Sequence, residues 1–148
     1  MARPAASPTT TGAWLGRRRL MAIDGFGFDL PDTAANLEEF PKDSAGGYET
    51  AFAQARVVAI SECASQAIVA ADVSGCWDGE QTLAYSLYER LEEAMLLLAD
   101  RGFYSFYAWG QARRSGAQLY CGECRPGSAR TGCGIWTTDP GSRSLPTP

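Results

Sequence analysis

Two kinds of hydrophobic pattern alternate along the chain. Arg19–Asp24 (RLMAID) is a short apolar run that ends in a carboxylate, the pattern of a strand buried on both faces. Phe26, Phe28 and Leu30 then alternate with Gly27 and Asp29, so the extended chain continues until Pro31 stops it. Thr33–Phe40 reads as a short helix with Asp32 as its N-cap, and residues 41–53 carry loop chemistry. Ala55–Cys63 and Gln66–Val73 are two β-rich runs separated by Ala64 and Ser65, which predicts a hairpin. Leu83, Ala84, Leu87, Leu91, Ala94 and Met95 recur at helical spacing. They predict a helix over 79–94, opened by Asp78 with Gln81 three residues on. Met95–Asp100 (MLLLAD) repeats the first pattern: a buried run ending in Asp. Ser105 caps a helix over 106–115, Gly116 suits its C′ position, and Ala117–Tyr120 starts a further strand.

Residues 1–12 are rich in Pro, Ala, Ser and Thr and read as a disordered lead-in, so order is expected from residue 13 to residue 120. After Cys121 no periodic apolar face survives among the Gly, Pro, Ser and Thr residues. Residues 121–148 therefore read as a disordered tail. The longest purely apolar run, Met95–Ala99, is far short of the roughly 20 residues a membrane helix needs. Nothing near Met1 resembles a secretory signal, so a cytoplasmic protein without a membrane partner is expected.

Composition narrows the chemistry. With 148 residues the chain suits one domain, and with no histidine it lacks His-based acid–base catalysis, Ser-His or Cys-His nucleophiles and His-ligated zinc. The net charge is −4, unevenly spread. Residues 1–20 hold four Arg and no acid, whereas residues 61–100 hold eight acids against Arg90 alone. Such an acidic middle repels phosphate backbones and argues against independent DNA binding. Lys42 is the only lysine, and the Arg bias fits a GC-rich gene. A tail read out of frame from such a gene would have the Gly, Pro, Arg and Ser flavour of residues 121–148.

The order of elements gives the two buried runs a common meaning. A right-handed helical crossover would set Arg19–Asp24 beside Met95–Asp100, parallel, with Asp24 and Asp100 at one edge of a mixed sheet. Paired carboxylates at the carboxyl ends of central strands suit a hydrated divalent cation such as Mg²⁺ or Mn²⁺. Two such ions about 3.5–4 Å apart clamp the attacking and leaving oxygens of a phosphodiester.

Three stretches carry a family resemblance: Gly12–Leu20 (GAWLGRRRL), Ala22–Thr33 (AIDGFGFDLPDT) and Leu96–Phe106 (LLLADRGFYSF). Over about residues 12–120 the chain resembles bacterial insertion-sequence transposases of the IS-four type. These are Asp-Asp-Glu enzymes with a ribonuclease-H-like catalytic core. The resemblance implies an α/β, truncated ribonuclease-H-like fold with a mixed sheet flanked by helices. It also implies Asp24 and Asp100 as the first two catalytic, metal-binding carboxylates. Mg²⁺ or Mn²⁺ would be the cofactor, transposon-end DNA the partner, and a transposase homo-oligomer the setting. The family's third carboxylate lies downstream in a helix with a Tyr…Arg…Glu…Lys pattern. No segment after Tyr120 matches that pattern, and Glu123 is the only Glu left. The resemblance thus implies a fragment, inactive alone.

Other features have plainer readings. Cys121, Cys124 and Cys133 supply only three thiolates where structural zinc takes four ligands, so chance cysteines are expected. Phe103, Phe106, Tyr107 and Trp109 read as core before they read as a base-stacking group, and Arg17–Arg19 as a solvated lead-in. Two other functions remain open: a module that interferes with an intact transposase, and a small metal-dependent phosphohydrolase using the same two Asp residues.

Overall fold

The computed structural model describes residues 5–44, 47–103 and 105–121, together with the backbone of residues 134–136. The strands are β1 (Trp14–Leu15), β2 (Arg18–Leu30), β3 (Ala53–Glu62), β4 (Ile68–Gly75), β5 (Met95–Ala99), β6 (Gln118–Cys121) and β7 (Gly134–Trp136). The helices are α1 (Ala34–Glu39), α2 (Glu80–Tyr88) and α3 (Phe106–Arg114), with a 3₁₀ turn at Arg101–Phe103. The fold is mixed α/β. Its sheet runs β4-β3-β2-β5-β6-β7, with β1 paired to the start of β2. The β2–β5 and β5–β6 pairs are parallel, whereas the β2–β3, β3–β4 and β6–β7 pairs are antiparallel. Among the described residues, no helix is long and apolar enough to cross a membrane.

β2 spans the whole RLMAIDGFGFDL segment because both of its edges are used in turn. Arg19–Ala22 pair with Met95–Leu98 on one side, and Met21–Leu30 pair with Glu62–Ala53 on the other. Side chains alternate across a strand. The odd-numbered face of β2 sends Met21 and Ile23 into one core with Val58, Ile60 and Leu97. Leu83, Ala84 and Leu87 of α2 and Ala108 and Ala112 of α3 close that core. On the other face, Phe26 and Phe28 pack ring to ring at 6.2 Å yet stay 53% and 41% exposed. Tyr88 is buried at the end of α2, and loss of hydration pushes its phenol up to about 12.

The helix ends follow capping rules, though not always with the expected residue. Ser105 caps α3 by accepting from the Ala108 N–H, and Gly116, at C′, takes the positive φ of +79° that a β-carbon would oppose. Thr33 caps α1, because Asp32 is used elsewhere: it accepts from the Ala53 N–H at 2.9 Å and pairs with Lys42 at 2.6 Å. Those contacts hold the Asp32 carboxyl below its usual range, the Lys42 hydrogen bond contributing most. Asp78 likewise serves Ser74 rather than α2, which opens at Gly79 with no side-chain cap and ends at Tyr88, earlier than its apolar spacing suggests. The β3–β4 hairpin forms as expected, with Gln66 at φ 58° in its connection.

Some of the sequence readings meet different surroundings. Residues 5–12, read as a lead-in, include Ala6, which is buried and donates its N–H to Glu62 at 2.8 Å. Trp14 donates its indole N–H to the Ser7 carbonyl at 3.0 Å. β7 lies inside the span read as a tail, and the remainder of residues 122–148 falls outside the described residues. Arg19 is not a solvated lead-in. It lies buried with Nη1 3.6 Å from Oε1 of Glu62, whose side chain is wholly buried, and neither of those atoms has a hydrogen-bond partner. The other Glu62 oxygen accepts from Ala6 and from the Ser65 hydroxyl.

A buried pair held by charge more than by hydrogen bonds should be costly to halve. Glu62→Ala, which strands the Arg19 guanidinium, should lower unfolding free energy by about 3–5 kcal/mol in urea denaturation. Replacing both partners, Arg19→Met with Glu62→Leu, should recover most of that loss. Equal destabilisation by the single and double variants would contradict an electrostatic role for the pair.

Candidate functional site

The β2–β5 ladder ends at Ala22 and Leu98; Asp24 lies two residues further along β2, and Asp100 follows Ala99, the last residue of β5. Both are exposed. Asp24 follows the alternation of β2 onto the face opposite the α2–α3 core, and Asp100 lies past the end of β5, just before the 3₁₀ turn.

Each carboxylate is steadied by the backbone that follows it. Asp24 Oδ1 accepts from the Gly25 N–H at 2.8 Å, and Asp100 Oδ1 accepts from the Gly102 N–H at 2.8 Å. The first contact has a simple origin in the ladder. Odd residues of β2 turn their N–H toward β5, as Arg19 does toward the Ala94 carbonyl, and β5 leaves the sheet before reaching Gly25. The Asp24 carboxylate takes the N–H that β5 leaves unmet. One oxygen of each Asp thus has a fixed donor, and the other oxygen has none among the described residues.

The first turn of α2 straddles the same edge. Gln81 Nε2 donates to the Gly102 carbonyl at 2.7 Å, tying α2 to the turn after Asp100. The Glu80 side chain lies over Gly25, where an added β-carbon would fall 2.7 Å from Glu80 Cδ. Gly25 is therefore the residue that lets Glu80 approach the strand beside Asp24. Sequence reasoning missed Glu80, because an acid in the first turn of a helix reads as ordinary dipole complementation. The signal that could have found it is topological: β4 runs parallel to β2, so the helix that follows β4 starts toward this edge.

The oxygen donors of Asp24 and Asp100 are of the hard type that divalent cations take. Mg²⁺ is commonly bound through one or two carboxylates and keeps several waters, which two exposed Asp residues can satisfy. Among the described residues, no group of three or more His, Cys, Asp or Glu is arranged to hold a metal ion. Glu80 approaches from the α2 side of the sheet, while Asp24 belongs to the opposite face. Cys121 Sγ donates to the Asp100 carbonyl at 3.4 Å; Cys124 and Cys133 fall outside the described residues. In the aromatic group, Phe103 is core, Trp109 is partly buried against it, and Phe106 and Tyr107 are exposed. Tyr107 meets Tyr85 edge to face at 4.8 Å.

Similarity to a known protein can be set beside this mixed α/β layer. The chain is 33% identical over 102 residues to the transposase InsG for insertion sequence element IS4 of Escherichia coli (strain K12). The match takes in 67% of this chain and 23% of that protein, so the chain spans about a quarter of the relative's length. The relationship to a transposase is distant. No protein-family profile matches the chain, and no solved structure matches it.

Because the atoms nearest the Gly25 position belong to the far end of a flexible side chain, Gly25→Ala should displace Glu80 at little cost. Stability in urea should change by no more than about 1 kcal/mol, strand propensity offsetting the crowding. The Glu80 side-chain resonances should shift while those of Met21 and Ile23 stay in place. A loss of several kcal/mol would contradict a free-swinging Glu80.

Proposed function

We propose that this chain is part of the catalytic domain of a DNA transposase, carrying two metal-binding carboxylates, Asp24 and Asp100, on a truncated ribonuclease-H-like layer. The observation that supports the reading is the parallel β2–β5 ladder, with Asp24 and Asp100 each two residues beyond its last pair, Ala22–Leu98. The similarity to the InsG transposase supports it independently. The strand order also supports it: a long central strand, an antiparallel hairpin on one side and a helical return to a parallel strand on the other.

In this reading Mg²⁺ or Mn²⁺, when bound, supplies Lewis acidity and a lowered pKa for an attacking water or 3′-hydroxyl. The chain's own residues do the positioning. The Gly25 and Gly102 N–H groups each fix one oxygen of an Asp and leave the other to face a cation. Gln81 ties the turn behind Asp100 to α2, which limits how far that carboxylate can drift. DNA transposon ends are the substrate class, and a transposase oligomer is the assembly the domain would serve.

In this reading the 148-residue chain is inactive alone. Two-metal catalysis needs ligands to both ions held within fractions of an ångström, which two carboxylates do not supply. The eight acids against one Arg in residues 61–100 further disfavour a grip on duplex DNA at physiological salt. The chain should therefore give no nicking of a supercoiled plasmid carrying paired transposon ends, in either Mg²⁺ or Mn²⁺. Metal-dependent nicking that disappears in Asp24→Asn or Asp100→Asn would overturn the inactive reading and make the chain an enzyme in its own right.

A further inference from the structure

Among the described residues β4 is the outer strand of the sheet, with no strand paired to its far edge, and that edge is lightly defended. The β3–β4 ladder fixes which groups face outward. Glu62 N–H bonds to the Ala67 carbonyl and Cys63 N–H to the Leu20 carbonyl, so even residues of β3 serve β4 and odd residues serve β2. Through the register pairs Ile60–Ala70 and Val58–Asp72, Ala70 and Asp72 turn their backbone groups inward. Ala71 and Val73 turn theirs outward. The Val73 N–H is taken by Asp72 Oδ1 at 3.0 Å, which leaves Ala71 presenting both an N–H and a C=O to the open edge. Natural edges are usually blunted by lysine, proline or covering segments. Here Ile68 and Val73 are at least half exposed beside the free pair.

A groove of about 450 Å³ runs along the α2 side of this edge, lined by Val69, Ala71, Asp72, Ser86, Leu87 and Arg90. It holds one anion and one cation. Asp72 is engaged with Ser86 at 2.7 Å and with Val73, whereas Arg90 is exposed and has no ion-pair partner among the described residues. Arg90 is also the only basic residue between 61 and 100. A groove that carries both signs along one strand edge can be self-complementary under a two-fold axis.

We propose that β4 is a self-association edge, occupied by β4 of a second copy of this chain. The strands pair antiparallel about a two-fold axis through Ala71, whose N–H and C=O exchange hydrogen bonds with those of its counterpart. In that register Asp72 stands opposite Ala70 of the other copy, so no like charges meet directly. The axis is perpendicular to the sheet, so both α2 helices lie on the same side and each Arg90 faces the other copy's Asp72. The two sheets then form one continuous sheet, and the Asp24–Asp100 edges stay clear of the contact.

The test uses the full 148-residue chain in sedimentation equilibrium and light scattering. The proposal expects a monomer–dimer equilibrium with a dissociation constant on the order of 10 μM. Ala71→Pro removes an outward N–H at an edge position where proline is tolerated, and should weaken the dimer at least about tenfold. Asp72→Arg and Arg90→Asp should each weaken it, and the two together should restore it, which guards against a variant that merely fails to fold. A wild-type chain that stays monomeric at about 500 μM overturns the proposal. So does a dimer indifferent to Ala71→Pro and to the charge swap but lost in Phe26→Ser with Phe28→Ser, which would assign the contact to the open sheet face instead.

Discussion

The parallel ladder between residues 19–22 and 95–98 sets where every other part of the molecule must go. Two apolar runs separated by more than seventy residues can lie side by side and parallel only if the chain between them returns to its starting end. The β3–β4 hairpin and α2 make that return. In doing so they fill the odd-numbered face of β2 with Val58, Ile60, Leu83 and Leu87, burying the apolar surface that drives folding. Once the ladder is formed, Asp24 and Asp100 both lie just past its last pair, Ala22–Leu98.

Much of this was legible in the sequence because it rests on local pattern. The two runs that end in Asp, the β3–β4 hairpin, the Ser105 cap and the Gly116 stop depend on neighbours within a few residues, and each forms close to its expected bounds. What the sequence hid depends on partners far away. Nothing in the triplet Arg17–Arg19 says that its last member will be buried against Glu62, because the alternation of β2 that turns Arg19 inward is fixed only when β3 pairs with it. Asp32 and Asp78 have good capping chemistry in sequence, yet Lys42, Ala53 and Ser74 compete for their carboxylates after folding. Glu80 escaped notice for the same reason: only the return path of the chain brings α2 over Gly25.

The architecture is also lopsided, and that bears on function. α2 and α3 cover one face of the sheet, while the face that carries Asp24 keeps Phe26, Phe28 and Val73 largely open. Sheets with parallel strands are normally covered on both faces. A mixed α/β layer with one largely open face and a match to about a quarter of a transposase fits the proposal that the chain is part of a larger catalytic unit. The buried Arg19–Glu62 pair joins β2 to the end of β3.

The central claim is that Asp24 and Asp100 act together on one cation, and the most direct measurement is a Mn²⁺ titration of the ¹⁵N-labelled chain followed by paramagnetic broadening of its amide resonances. The account predicts that the earliest broadening centres on Asp24, Gly25, Asp100 and Gly102, and that Asp24→Asn or Asp100→Asn alone removes it from both strands. Broadening that appears equally at Glu89, Glu92 and Glu93, or that persists at one Asp when the other is replaced, would contradict it.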